Sequence, residues 1–197
     1  VREILEKYFI IRTSWVFGKN GNNFVKTMLR LGKELESLTV VCDQVGSPTY
    51  TPDLAVLICD MLMTENYGIY HGTNEGFCSW AEFAAEIMTQ ANLGAKIIPV
   101  TTAEYKPSKA SRPTNSRLSK KCLVENGFNR LPPWTDALAR YLKEIDDVDS
   151  DYVSVLKGYI SITPMSQTTF NKEKFKNFHT HINQFLLSKY ILFSCIF

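Results

Sequence analysis

The sequence predicts an α/β fold with a largely parallel sheet. Short runs rich in β-branched and aromatic residues alternate with longer segments of helical apolar period, and several of those segments open on helix-start signals. Composition agrees: 45% hydrophobic and 21% charged residues, with a formal charge of +2 over 197 residues, describe a globular chain able to bury a core.

Tyr8 to Phe17 (YFIIRTSWVF) reads as a strand ending at the turn cluster Gly18-Lys-Asn-Gly21. From Asn23 onward Phe24, Val25, Met28, Leu29 and Leu31 fall at helical spacing, with Gly32 near the end. Leu38 to Val41 forms a short strand and runs into the polar loop Asp43-Gln-Val-Gly-Ser-Pro-Thr49. Thr51-Pro52-Asp53 then offers an N-cap, a proline at the first helical position and an acid in the first turn, ahead of an apolar stripe through Leu54, Leu57, Ile58, Met61 and Leu62. Gly68 to His71 is a short buried strand, and Ser79-Trp-Ala-Glu82 matches the capping box of a helix that reaches about Ala91. Lys96 to Val100 is a further strand, Thr101 to Pro113 a loop, and Ser116 to Asn126 and Pro133 to Ile145 are helical. Near Asp149 an acidic patch gives way to a stretch without clear period, so the expected boundary divides residues 1–149 from an extension, 150–197.

Several function classes fall away. Lys and Arg are scattered instead of forming a stripe, which argues against nucleic acid as a partner. The five cysteines are odd in number and widely spaced, with no CxxC pair, and read as the reduced thiols of a cytoplasmic protein. His179 and His181 lack a third nearby ligand, so no metal site is expected. No signal peptide is visible, and the apolar run from Phe185 to Phe197, interrupted by Lys189, is too short to cross a bilayer, so no membrane role is expected.

Taken together, Arg12-Thr-Ser-Trp-Val-Phe-Gly18, Asn23-Phe-Val, Asp43-Gln-Val-Gly-Ser-Pro-Thr49, Asp53-Leu-Ala55, Gly68-Ile-Tyr-His71, Ser79-Trp-Ala-Glu-Phe83 and Arg112-Pro-Thr-Asn-Ser116 resemble the dTDP-4-dehydrorhamnose reductases of the extended short-chain dehydrogenase/reductase superfamily. The resemblance runs from about Tyr8 to Ile145. It implies a partial doubly wound, Rossmann-like parallel sheet whose N-terminal half is absent, joined to a small C-terminal substrate-binding subdomain. The implied reaction moves hydride from NADPH or NADH to C4 of a dTDP-bound keto sugar, giving dTDP-L-rhamnose. The choice between the two cofactors, and any use of Mg²⁺, stays open. The implied partner is the dTDP-sugar, with room for a homodimer of the full-length enzyme.

In that family the first half carries a Gly-rich turn for the cofactor diphosphate and a Tyr-x-x-x-Lys pair on one helix. Neither stands where the family has it, so no catalytic residue is assigned and the chain alone is expected to be inactive. Tyr105 to Lys109 has the spacing, but Pro107 lies between them and prevents one helix from carrying both. A non-catalytic binding or regulatory subunit of the same fold, like the regulatory subunit of methionine adenosyltransferase, is the alternative.

The candidate site residues follow from position. Trp15, at the carboxyl end of a buried strand, is by resemblance the wall against the sugar; the competing reading is a core tryptophan. Thr13 and Ser14 would border the nicotinamide, or else form a simple turn. Asn23 would direct its amide at the nucleotide diphosphate, or serve as an ordinary N-cap. Gln44 and Thr49 lie on a long polar loop, a placement that favours ligand contact. Arg112 would reach a phosphate or pyrimidine carbonyl, or form a surface salt bridge. His71 reads as a satisfied core histidine. With half the sheet absent, the strands near Tyr8 and Gly68 are expected to show uncovered edges.

Overall fold

The computed structural model describes residue 4 and residues 6–105, 113–156 and 190–196, with the backbone alone for 147–156 and 190–196. In chain order the elements are β1 (Tyr8–Ser14), β2 (Val16–Phe17), α1 (Phe24–Glu34), β3 (Ser37–Val41), β4 (Val45–Gly46), β5 (Thr49–Tyr50), α2 (Thr51–Leu62), β6 (Gly68–His71), β7 (Cys78–Ser79), α3 (Trp80–Gln90), β8 (Lys96–Val100), α4 (Lys121–Glu125), α5 (Trp134–Leu156) and β9 (Tyr190–Ile196). The fold is α/β; among the described residues, pairing is parallel in three of four small sheets and only β4 and β7 run antiparallel.

β1 lies between β6 and β9 and pairs parallel with both. The expectation of an uncovered edge at Tyr8 is therefore corrected: the C-terminal strand β9 runs beside β1 along its whole length, Tyr8 to Ser14 against Tyr190 to Ile196. Among the described residues β6 has β1 on one side only.

Two cores flank the end of β1. Phe9 and Ile11 pack with Leu54, Leu57 and Met61 of α2 and with Tyr70, Leu123 and Phe128. Trp15 and Phe17 belong to the other core, with Val25, Tyr50, Phe83, Ile87, Leu138 and Tyr141. The chain passes from one core to the other at Trp15, whose φ of 49° breaks the expected single strand into β1 and β2. A left-handed backbone at a bulky residue costs on the order of 1–3 kcal/mol, so the surrounding packing must hold it.

The helices mostly start where the sequence indicates. Asn23 caps α1, its Oδ1 accepting from the Lys26 amide at 3.0 Å. Both bonds of the capping box form at α3: Glu82 N donates to Ser79 Oγ at 3.1 Å, and Ser79 N donates to Glu82 Oε2 at 2.6 Å. At α2 the cap moves by one residue, because Tyr50 caps without a side-chain bond and Thr51 is already helical. The expected helix over Ser116 to Asn126 shrinks to α4, since Thr114 O accepts from Val45 N and Ser116 N donates to Val45 O, which holds that stretch extended beside the polar loop.

Candidate functional site

The carboxyl ends of β1 and β6 point the same way, where open parallel sheets place their ligands. At the end of β1, Thr13 is buried and its hydroxyl has no hydrogen-bond partner among the described residues. Ser14 is sealed from solvent and donates to Ser47 O at 2.8 Å. Trp15 is 7% exposed; Trp80 stacks on its ring with centroids 3.7 Å apart, and Gly46 lies against its edge. The indole thus belongs to the core, with one face taken.

The polar loop divides the remaining candidates. Gln44 is 7% exposed and donates through Nε2 to Thr102 Oγ1 at 3.0 Å. Thr49 lies in β5, fully buried, its amide bonded to Trp15 O at 3.1 Å, so it supports the tryptophan from behind. Asn23 spends its whole amide inside the protein: besides capping α1, Nδ2 donates to Gly18 O at 2.9 Å and to Tyr141 Oη at 3.1 Å. Its geometry is that of an N-cap tied to α5. Arg112 lies outside the described residues. His71 Nδ1 is 2.8 Å from Ser119 O, a carbonyl that only accepts, so that nitrogen carries the proton. Tyr105 is half-exposed in the loop after β8, and its partner in the spacing, Lys109, lies outside the described residues.

Other polar residues near the site were not singled out in the sequence. Asn74, just after β6, is fully buried; Oδ1 accepts from Tyr50 N at 2.8 Å, and Nδ2 donates to Asp53 Oδ2 at 2.6 Å and Pro132 O at 2.9 Å. Arg140 of α5 grips Asp53 with two bonds of 2.8 Å, which stabilises its guanidinium charge, the hydrogen bonds to Asp53 being the largest cause. Beside it Tyr50 donates to Glu144 Oε2 at 2.6 Å, and its hydroxyl is pushed upward in pKa by burial and by that carboxylate. Lys120 is buried, 3.9 Å from Glu75 Oε1 and above the Phe77 ring; burial lowers its pKa. The only signal for these in sequence is position: Asn74 and Glu75 follow a buried strand. Among the described residues no cluster could hold a metal ion, and no helix is long and apolar enough to cross a membrane.

Parallel strands with polar loops gathered at their carboxyl ends define an open-sheet α/β protein of the ligand-binding kind. More particularly, the chain belongs to the family described as the RmlD substrate binding domain, which matches residues 1–147. It is 50% identical over 135 residues to the spore coat polysaccharide biosynthesis protein SpsK of Bacillus subtilis, covering 68% of this chain and 47% of that one. Its structure is similar to dTDP-4-dehydrorhamnose reductase from Bacillus anthracis, solved in complex with NADP, with a TM-score of 0.68, 50% identity, and coverage of 73% and 50% of the two chains. The corresponding reductase of Clostridium acetobutylicum gives a TM-score of 0.71 at 41% identity, over 74% of this chain and 51% of that one. The chain spans about half the length of these relatives.

Proposed function

We propose that this chain is the substrate-side portion of a reductase that converts dTDP-4-dehydro-L-rhamnose to dTDP-L-rhamnose, and that alone it binds the dTDP-sugar without turning it over. The observation that carries the reading is the family match over residues 1–147, which takes in Thr13, Trp15, Gln44, the polar loop and Arg112. Residues 150–197 are then an extension to the sugar-nucleotide module. A reduced nicotinamide supplies the hydride in such a reaction. Of the two hydroxyls at the end of β1, Thr13 fits a polar group of that cofactor, being buried without a partner among the described residues, whereas Ser14 has committed its proton to Ser47. Inactivity of the chain alone follows from the lack of a Gly-rich diphosphate turn and from Pro107 inside the Tyr105 to Lys109 spacing.

The test is calorimetric titration of the chain with dTDP-L-rhamnose, beside a turnover assay on dTDP-4-dehydro-L-rhamnose with NADPH and with NADH. Binding without turnover is expected. Turnover that survives purification and disappears in Tyr105→Phe would overturn the inactivity, and a flat titration would overturn the ligand. Trp15→Phe keeps an aromatic ring in the core and should weaken the sugar nucleotide by about tenfold, within the range of a lost stacking surface. Trp15→Ala is the poorer probe, because emptying this core position costs about 3–5 kcal/mol of stability.

A further inference from the structure

Asp43, Thr102 and Gln44 form a directed chain of hydrogen bonds between the polar loop and the end of β8. An ionised carboxylate only accepts. Thr102 Oγ1 lies 2.6 Å from Asp43 Oδ1, and the Thr102 amide lies 3.0 and 2.9 Å from the two carboxylate oxygens. A hydroxyl carries one proton, and this one goes to Asp43. Toward Gln44, 3.0 Å away, Thr102 Oγ1 therefore acts only as an acceptor, and the donor must be Nε2. A flipped amide would face oxygen lone pairs with oxygen lone pairs. Hydrogen-bond logic thus fixes which end of the Gln44 amide is which. The bonds from Thr102 also hold the Asp43 carboxyl below its ordinary range, so it remains an acceptor at neutral pH.

The backbone closes around this arrangement. Cys42 N donates to Val100 O at 2.8 Å on one side of Gln44, and Val45 N donates to Thr114 O at 2.9 Å on the other. With Nε2 clamped, Gln44 Oε1 has no hydrogen-bond partner among the described residues. It stands two residues from Gly46, which touches Trp15.

We propose that Asp43 and Thr102 are positioning residues that lock Gln44 with its Oε1 presented as a hydrogen-bond acceptor to the sugar nucleotide, so that the loop selects a ligand carrying a donor there. The donor is the imide N–H of the pyrimidine or a hydroxyl of the sugar. The inference rests on the dTDP-sugar reading above and deepens it.

The experiment titrates the full chain, Thr102→Val and Thr102→Ser with three probes: dTDP-L-rhamnose, dTDP, and dTDP methylated at the pyrimidine N3. Valine keeps the shape of threonine and removes the hydroxyl, while serine keeps the hydroxyl. Thr102→Val is expected to lose affinity by about tenfold and Thr102→Ser to retain it. If the imide is the donor, dTDP and dTDP-L-rhamnose weaken together in Thr102→Val and the methylated probe binds wild type and variant alike. If a sugar hydroxyl is the donor, only dTDP-L-rhamnose weakens. Either pattern supports the proposal, and equal affinities across all three proteins, or a loss in Thr102→Ser as large as in Thr102→Val, overturn it. Proton exchange of the Gln44 side-chain amide, followed by ¹⁵N NMR, tests the lock without ligand: slow exchange in the wild type that becomes fast in Thr102→Val supports it, and fast exchange in both overturns it. A wild type that gives a flat titration with every probe sinks the dTDP-sugar reading instead, and the exchange measurement still decides the orientation of the amide.

Discussion

At Gly46 a single methyl group has almost no room. A Cβ built there would lie 2.7 Å from Cε2 and 2.9 Å from Cζ2 of Trp15, and the Trp80 ring on the indole face leaves little space for it to yield. Gly46→Ala should therefore cost about 1–3 kcal/mol through overpacking, read as a lower midpoint in denaturant together with altered tryptophan fluorescence. Asp43 gives a prediction in pH. Thr102 lowers its carboxyl below the ordinary 3.8, so in that window the unfolded chain binds more protons and stability rises with pH. The contribution is whole above 3.8 and is lost as pH falls through the folded value, so the stability difference between wild type and Asp43→Asn should close on acidification. A difference that persists in strong acid would mean that the carboxylate charge is not its source. At this scale the sequence exposed positions and not commitments. Gln44 and Thr13 were singled out because polar residues at strand ends have few structural duties; the structure places Gln44 Nε2 on Thr102 and leaves the Thr13 hydroxyl without a partner among the described residues. Asn23 and Thr49 carried the same signal, yet their bonding is set by Tyr141 and Trp15, residues distant in the chain.

Elements whose ends are decided locally were the ones the sequence described well. The capping box at Ser79 and Glu82 needs only four consecutive residues, and both its bonds form. Ser79→Ala should remove one and cost about 1 kcal/mol, within the usual 0.5–2, as a shift of the urea midpoint with unchanged slope. A changed slope would instead report altered compactness. Where partners are distant, sequence reading failed in a consistent way. Ser116, where the helix to Asn126 was expected to begin, bonds to Val45 instead, and the helix starts only at Lys121. The strand from Tyr8 was read as continuous because nothing in YFIIRTSWVF marks the left-handed turn at Trp15, which serves the passage between two cores.

At the scale of the molecule, the sheet around β1 depends on a segment outside the family match. That match ends at residue 147, while β9 at Tyr190–Ile196 supplies the parallel neighbour along one whole edge of β1. The tail could be seen to end in an apolar run, but pairing is a three-dimensional fact with no local signature. β1 itself buries Phe9, Ile10 and Ile11, so without β9 an apolar strand would present a row of unpaired amides and carbonyls to solvent. Such an edge is a template for another chain. Ending the protein after Leu156 removes β9 and leaves α5 at its observed length. The shortened protein should self-associate with rising concentration in sedimentation velocity, at protein levels where the full chain keeps a single sedimentation coefficient. Lysine substitutions within β1 would not separate the effects, because the core beneath would suffer as well. A shortened protein that stays monomeric and melts as cooperatively as the full chain would show that β9 is dispensable to the sheet.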